Sequence, residues 1–97
     1  MKGARRFQAY LDEQLNDPAF RKAYDEEGIY AELAIQIARL RTRKGLTQRQ
    51  LARRLQTSQQ TISRLESPRN GSLSLHTLVK LATAFDKKLK VQFIKAS

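Results

Sequence analysis

The sequence predicts an all-α bundle of about five to six helices followed by a short C-terminal β-strand. Three observations carry this expectation. Apolar residues recur at helical spacing through most of the chain, and Thr, Ser or Asp stands just before several of those runs, where helices start. Only residues 88–93 alternate with the two-residue period of a strand. The 97 residues suit one small domain. With no cysteine there is no disulfide framework, Cys-ligated zinc, iron–sulfur cluster or thiol nucleophile. The single histidine, His76, makes no multi-His metal site, so neither a metal nor a cofactor is expected. Apolar runs are too short for a membrane span or a signal-peptide core, and the chain reads as soluble and intracellular.

Phe7, Tyr10, Leu11 and Leu15 mark one face of a first helix. Asn16-Asp17-Pro18 reads as a stop and restart, with Asp17 as N-cap and Pro18 at the first helical position. The restarted segment carries Phe20, Ala23 and Tyr24, and Gly28 is expected to end it. From Ile29 to Lys44 a longer helix presents Ile29, Leu33, Ile37 and Leu40, closed by Gly45. Thr47-Gln48-Arg49-Gln50 fits a capping box opening a short helix whose inner face is Leu51, Ala52 and Leu55. Gln56-Thr57-Ser58 makes a tight turn, and Ser58 caps the next helix, which buries Ile62 and Leu65 and stops before Pro68. After a polar loop, Ser74 caps a helix expected to turn Leu75, Leu78, Val79, Ala82 and Phe85 inward. His76 is an ordinary residue of its first turn.

The tail, Lys88-Leu89-Lys90-Val91-Gln92-Phe93, has no second strand to join. Pairing with the same segment of another copy, through Leu89, Val91 and Phe93, would satisfy its backbone, and fraying is the alternative. The division expected is therefore a helical arm at 1–28, a domain at 29–86 and a dimerising strand at 87–97.

Charge is distributed unevenly. Residues 1–35 hold five Lys/Arg against seven Asp/Glu; residues 36–97 hold fourteen against two. Between Arg39 and Arg54 lie seven basic residues and no acid. Such asymmetry suggests an acidic or neutral arm joined to a polyanion-binding body, although a solvated basic face would show the same charge.

Thr47-Gln48…Leu51-Ala52…Leu55…Thr57-Ser58-Gln59-Gln60…Ile62-Ser63…Leu65-Glu66 resembles the XRE-type helix-turn-helix shared with lambdoid phage repressors, over roughly residues 30–86. A lambda-repressor-like bundle is the fold this implies. Leu51, Ala52, Leu55, Ile62 and Leu65 would be its shared core. The resemblance makes residues 59–66 the recognition helix, with Gln59, Gln60 and Ser63 at base edges and Arg64 at a guanine or a phosphate. Arg43, Lys44, Arg69 and Asn70 resemble the family's backbone contacts, and Arg41 and Glu66 match positions of an internal ion pair. Thr47 and Gln48 open a helix whose N-terminal amides suit a phosphate, and Ser58, the next N-cap, is placed with them. Arg53 and Arg54 read as solvated surface. The chain departs from the pattern at Gln56 and Asp86, where glycine is usual, and in the missing glycine after Glu66.

The arm (Leu11…Asp17-Pro18-Ala19-Phe20…Tyr24), the domain and the closing Leu89-Lys90-Val91-Gln92-Phe93 together look like a HigA-like antitoxin of a type II toxin–antitoxin pair. That resemblance implies a cytoplasmic bacterial protein, on the nucleoid when bound to its operator. It implies a homodimer that represses its own operon and neutralises a small basic HigB/RelE-type ribonuclease, with Phe7, Tyr10, Leu11, Phe20 and Tyr24 as contacts. The same residues could instead pack on the domain's own core, as in a stand-alone repressor of phage or host type. No paired carboxylates lie in the basic region, so an enzyme is not expected. The basic residues form no lipid-facing stripe, and neither a membrane nor a small-molecule partner is expected.

Overall fold

The computed structural model describes residues 2–68 and 73–96, with side chains from Arg6 onward. Five helices lie in them: α1 (Lys2–Gln14), α2 (Pro18–Arg43), α3 (Gln48–Arg54), α4 (Gln59–Leu65) and α5 (Leu75–Ala84). Asp17 caps α2 through its carboxylate, which accepts the Ala19 amide at 3.0 Å, with Pro18 in the first turn. Gly28 does not end a helix, contrary to the sequence expectation. The 26 residues of α2 run through it, because strong helix formers on both sides outweigh the roughly 1 kcal/mol that one glycine costs.

Three helices end in the same way. The amide of the residue at C′ donates to the carbonyl three back, and the next amide to the carbonyl five back, the Schellman arrangement. At α2 these bonds are Gly45 to Thr42 (2.9 Å) and Leu46 to Arg41 (3.1 Å). At α3 they are Gln56 to Arg53 (3.1 Å) and Thr57 to Ala52 (2.9 Å), and at α5 Asp86 to Thr83 (3.1 Å) and Lys87 to Ala82 (2.8 Å). The motif needs a left-handed residue at C′, and φ is 75° at Gly45, 56° at Gln56 and 57° at Asp86. Gln56 and Asp86 therefore hold a conformation that costs a non-glycine residue about 1 kcal/mol. After α4 the position that would donate the longer bond is Pro68, which has no N–H.

The core joins the second half of α2 to α3, α4 and α5: Ile37, Leu51, Ala52, Leu55, Ile62, Leu65, Leu81 and Phe85 are buried together, with Leu40, Leu46, Leu73 and Leu78 against them. Two expectations for α5 are corrected. Leu75 and Val79 face solvent, whereas Leu81 is buried, so the inward stripe is Leu78, Leu81 and Phe85. Ile29, expected on the inner face of α2, is also exposed.

Among the described residues nothing before Ala34 is buried. Phe7, Tyr10 and Tyr24 are exposed, and Leu11, Leu15 and Phe20 half-buried, so the arm does not enlarge the core. The molecule extends over 45 × 30 × 21 Å with a radius of gyration of 16.5 Å, against about 12–13 Å for a compact domain of this length. The long α2 accounts for much of this: it is about 39 Å from end to end.

The C-terminal β-strand is the remaining correction. Residues 87–96 form neither helix nor strand, because no other extended segment among the described residues offers a ladder. Leu89 is half-buried and borders a groove with Leu33, Leu40, Leu78 and Phe85. Beyond it Val91, Phe93 and Ile94 stand in solvent, Phe93 at 99% of its full exposure.

Candidate nucleic-acid interface

The start of α3 is built by its own sequence. The Thr47 hydroxyl accepts the Gln50 amide at 3.1 Å, and the Gln50 side-chain carbonyl accepts the Thr47 amide at 2.8 Å. The first two amides of the helix, those of Gln48 and Arg49, take no part in this box. Ser58 repeats the cap at α4, accepting the Thr61 amide at 3.1 Å. Ala52 is buried where α3 meets α4, and its small side chain lets the two helices cross closely.

That crossing leaves one polar face outward. Gln59, Gln60, Ser63 and Arg64 are all exposed on α4, and none enters the core. Gln59 borders a surface depression with Arg41, Thr47, Gln48 and Arg49, so the first turns of α3 and α4 lie side by side. Arg39, Arg43, Arg49, Arg53 and Arg54 are also exposed. The matched residues Arg69 and Asn70 lie outside the described residues.

Behind this face sits an ion pair. Glu66, with 7% of its side chain exposed, accepts Arg41 Nε at 2.6 Å and Arg41 Nη2 at 3.0 Å. The third nitrogen, Nη1, donates to the Leu46 carbonyl at 2.8 Å, and Gln48 Nε2 donates to Glu66 at 3.2 Å. One carboxylate thus joins the end of α2, the start of α3 and the end of α4. Its hydrogen bond, and then its charge, hold the Arg41 guanidinium above its ordinary pKa, with burial opposing. The Gln48 side chain, at a helix start expected to meet a phosphate, is therefore already held from within.

The structure adds two contacts that the sequence reading missed. Lys44 pairs with Asp86, tying the end of α2 to the turn after α5. A signal for it was present: Asp86 and Glu66 are the only acids after residue 35, and an isolated acid in so basic a stretch has cations at hand to pair with. Lys80 donates to the Leu55 carbonyl at 3.1 Å, placing a cation at the C-terminal end of α3. Nothing local in the sequence marks that contact. Among the described residues no group of three or more His, Cys, Asp or Glu side chains could hold a metal ion, and no helix is long and apolar enough to cross a membrane.

Two short capped helices crossing over a shared core, with a polar outer face in a basic surround, define a helix-turn-helix DNA-binding module. Residues 37–91, more than half of the chain, match the helix-turn-helix family model, and the chain belongs to that family, the XRE-type helix-turn-helix proteins. It is a sequence-specific DNA-binding regulator of that type. Comparison with curated proteins and with solved structures gives no match. The family match begins at Ile37, close to where the buried core begins on α2.

Proposed function

We propose that this chain is the antitoxin of a type II toxin–antitoxin pair, which represses its own operon and neutralises a basic RelE/HigB-type ribonuclease. The observation that carries the reading is the arm. It lies outside both the core and the family match, it is nearly neutral on a protein of net charge +10, with three of its six acids together at Asp25, Glu26 and Glu27, and it shows Phe7, Tyr10 and Tyr24 to solvent. A repressor domain needs no such extension to fold. Exposed aromatic side chains with an acidic run beside Tyr24 suit a basic protein that itself binds RNA.

On DNA, α4 enters the major groove by its first turn. Gln59 and Gln60 read base edges, glutamine being able to bond adenine N6 and N7 together, and Ser63 and Arg64 follow one turn on. Arg43, Thr47, Ser58, Arg69 and Asn70 hold phosphates, Gln48 does so through its main-chain amide while its side chain stays on Glu66, and Lys44 joins them by exchanging its Asp86 partner for a phosphate oxygen. If about 4–6 phosphates per subunit are contacted by these seven residues, the salt dependence is steep. Two copies joined through Leu89, Val91 and Phe93 read two half-sites about one or two helical turns apart.

The test is co-purification of the tagged full chain with the product of the neighbouring reading frame and with its own promoter fragment. A stoichiometric complex with both supports the reading. Promoter binding without a protein companion leaves a stand-alone repressor of phage or host type.

A further inference from the structure

The first half of α2 carries a second apolar face that nothing among the described residues buries. Tyr24, Gly28, Ala31 and Ile35 recur at i, i+4, i+7 and i+11, which makes one stripe. It is distinct from the face that sends Ile37 into the core. Tyr24 is 45% exposed and Ile35 51%, and Phe20 stacks on Tyr24 with ring centroids 6.3 Å apart. At the centre stands Gly28, in unbroken helix. A Cβ built there meets nothing within 4 Å, so neither a turn nor a close approach inside this chain calls for glycine. Glycine is the poorest helix former after proline, and the chain carries it here without an internal return.

Charge reverses along the same stretch. Between Lys22 and Arg39 there are four acids, Asp25, Glu26, Glu27 and Glu32, and no base. That excludes DNA as the occupant, because phosphates would meet carboxylates. It also opposes a second copy, since twofold pairing of α2 would set this acidic stretch against itself.

We infer that the Tyr24–Gly28–Ala31–Ile35 stripe seats a helix of a basic partner protein, with Gly28 the point where the two backbones come closest. This rests on the partner-binding reading above and gives it a place, on α2 rather than on α1. Tyr24 and Ile35 flank the crossing, about 17 Å apart along the axis, and Glu27 and Glu32, one on each side of the stripe, face the partner's Lys and Arg side chains. Any side chain at position 28 holds the partner helix away.

The experiment uses the full chain and the purified product of the adjacent basic reading frame as probe, with affinity measured by calorimetry. Gly28→Leu should keep its helical circular dichroism, melt no lower than wild type and bind promoter DNA within twofold. It should lose at least ~30-fold in affinity for the probe, the size of a hot-spot loss. Gly28→Ala, which adds one methyl group, should fall between. The α1 double variant Phe7→Ala/Tyr10→Ala is the counter-test. If it loses probe binding while Gly28→Leu stays within threefold of wild type, the seat is on α1 and the inference is overturned, although the partner-binding reading stands. If wild type does not bind the probe, or no basic protein is encoded there, that reading falls and the inference with it.

Discussion

Replacing Glu66 with Ala should cost this protein a large part of its stability. The carboxylate accepts three hydrogen bonds, two from Arg41 and one from Gln48, and 7% of its side chain is exposed. Without it the Arg41 guanidinium keeps only its 2.8 Å bond to the Leu46 carbonyl, while 18% of its side chain reaches solvent. Removing one partner of a fully buried pair costs about 3–5 kcal/mol, and this partial solvent access reduces the figure to about 2–3 kcal/mol. A chain of this length has about 5–15 kcal/mol in total, so thermal denaturation followed by circular dichroism should show Tm falling by about 10–20 °C. The double variant Arg41→Met/Glu66→Met removes both charges and keeps volume, and it should recover most of that loss. The pair stays charged on the arginine side at any physiological pH, because the shift on Arg41 is upward. A drop of under ~3 °C for Glu66→Ala, or a double variant as unstable as the summed singles, would refute the role given to this carboxylate.

Other consequences are accessible to routine measurement. Gln59→Ala with Gln60→Ala should erase the preference for the protein's own promoter over a scrambled duplex in gel-shift titrations, while salt-sensitive binding to both persists; retained preference would move base reading off α4. Gln56→Gly relieves a φ of 56° but enlarges the freedom of the unfolded chain, so stability should rise by less than about 1 kcal/mol, and a lower Tm would show that Gln56 makes a compensating contact. Val91→Asp with Phe93→Asp should yield monomers in sedimentation velocity; a surviving dimer would place the interface elsewhere.

Caps and core were legible because they are local chemistry. Thr47 and Gln50, Ser58, Asp17-Pro18 and Gly45 each announce a helix end through hydrogen bonds confined to a few neighbouring residues. The small Ala52 and the large Leu51 and Ile62 follow from a close helix crossing. Gly28 misled because glycine ends a helix only where the left-handed bonds that follow can form, and here α2 simply continued. Leu75 and Val79 were misplaced because α5 has apolar residues on more than one face and only tertiary contact with Leu55 and Leu65 chooses between them. The tail pattern fits a strand, but a strand is a property of a pair, and one chain supplies half of it. Contacts such as Lys80 to the Leu55 carbonyl join residues 25 positions apart and leave no local trace.

The most direct test of the account is a footprint of the full chain on its own promoter fragment, made with and without the product of the adjacent reading frame. The account predicts two protected half-sites about one or two helical turns apart, sensitive to Gln59→Ala/Gln60→Ala, and a stable complex with the basic protein that depends on the arm. Uniform protection without half-sites, unchanged by the glutamine variants, would contradict the reading of α4 as the base-reading helix. A footprint of the expected form with no protein companion would contradict the antitoxin role.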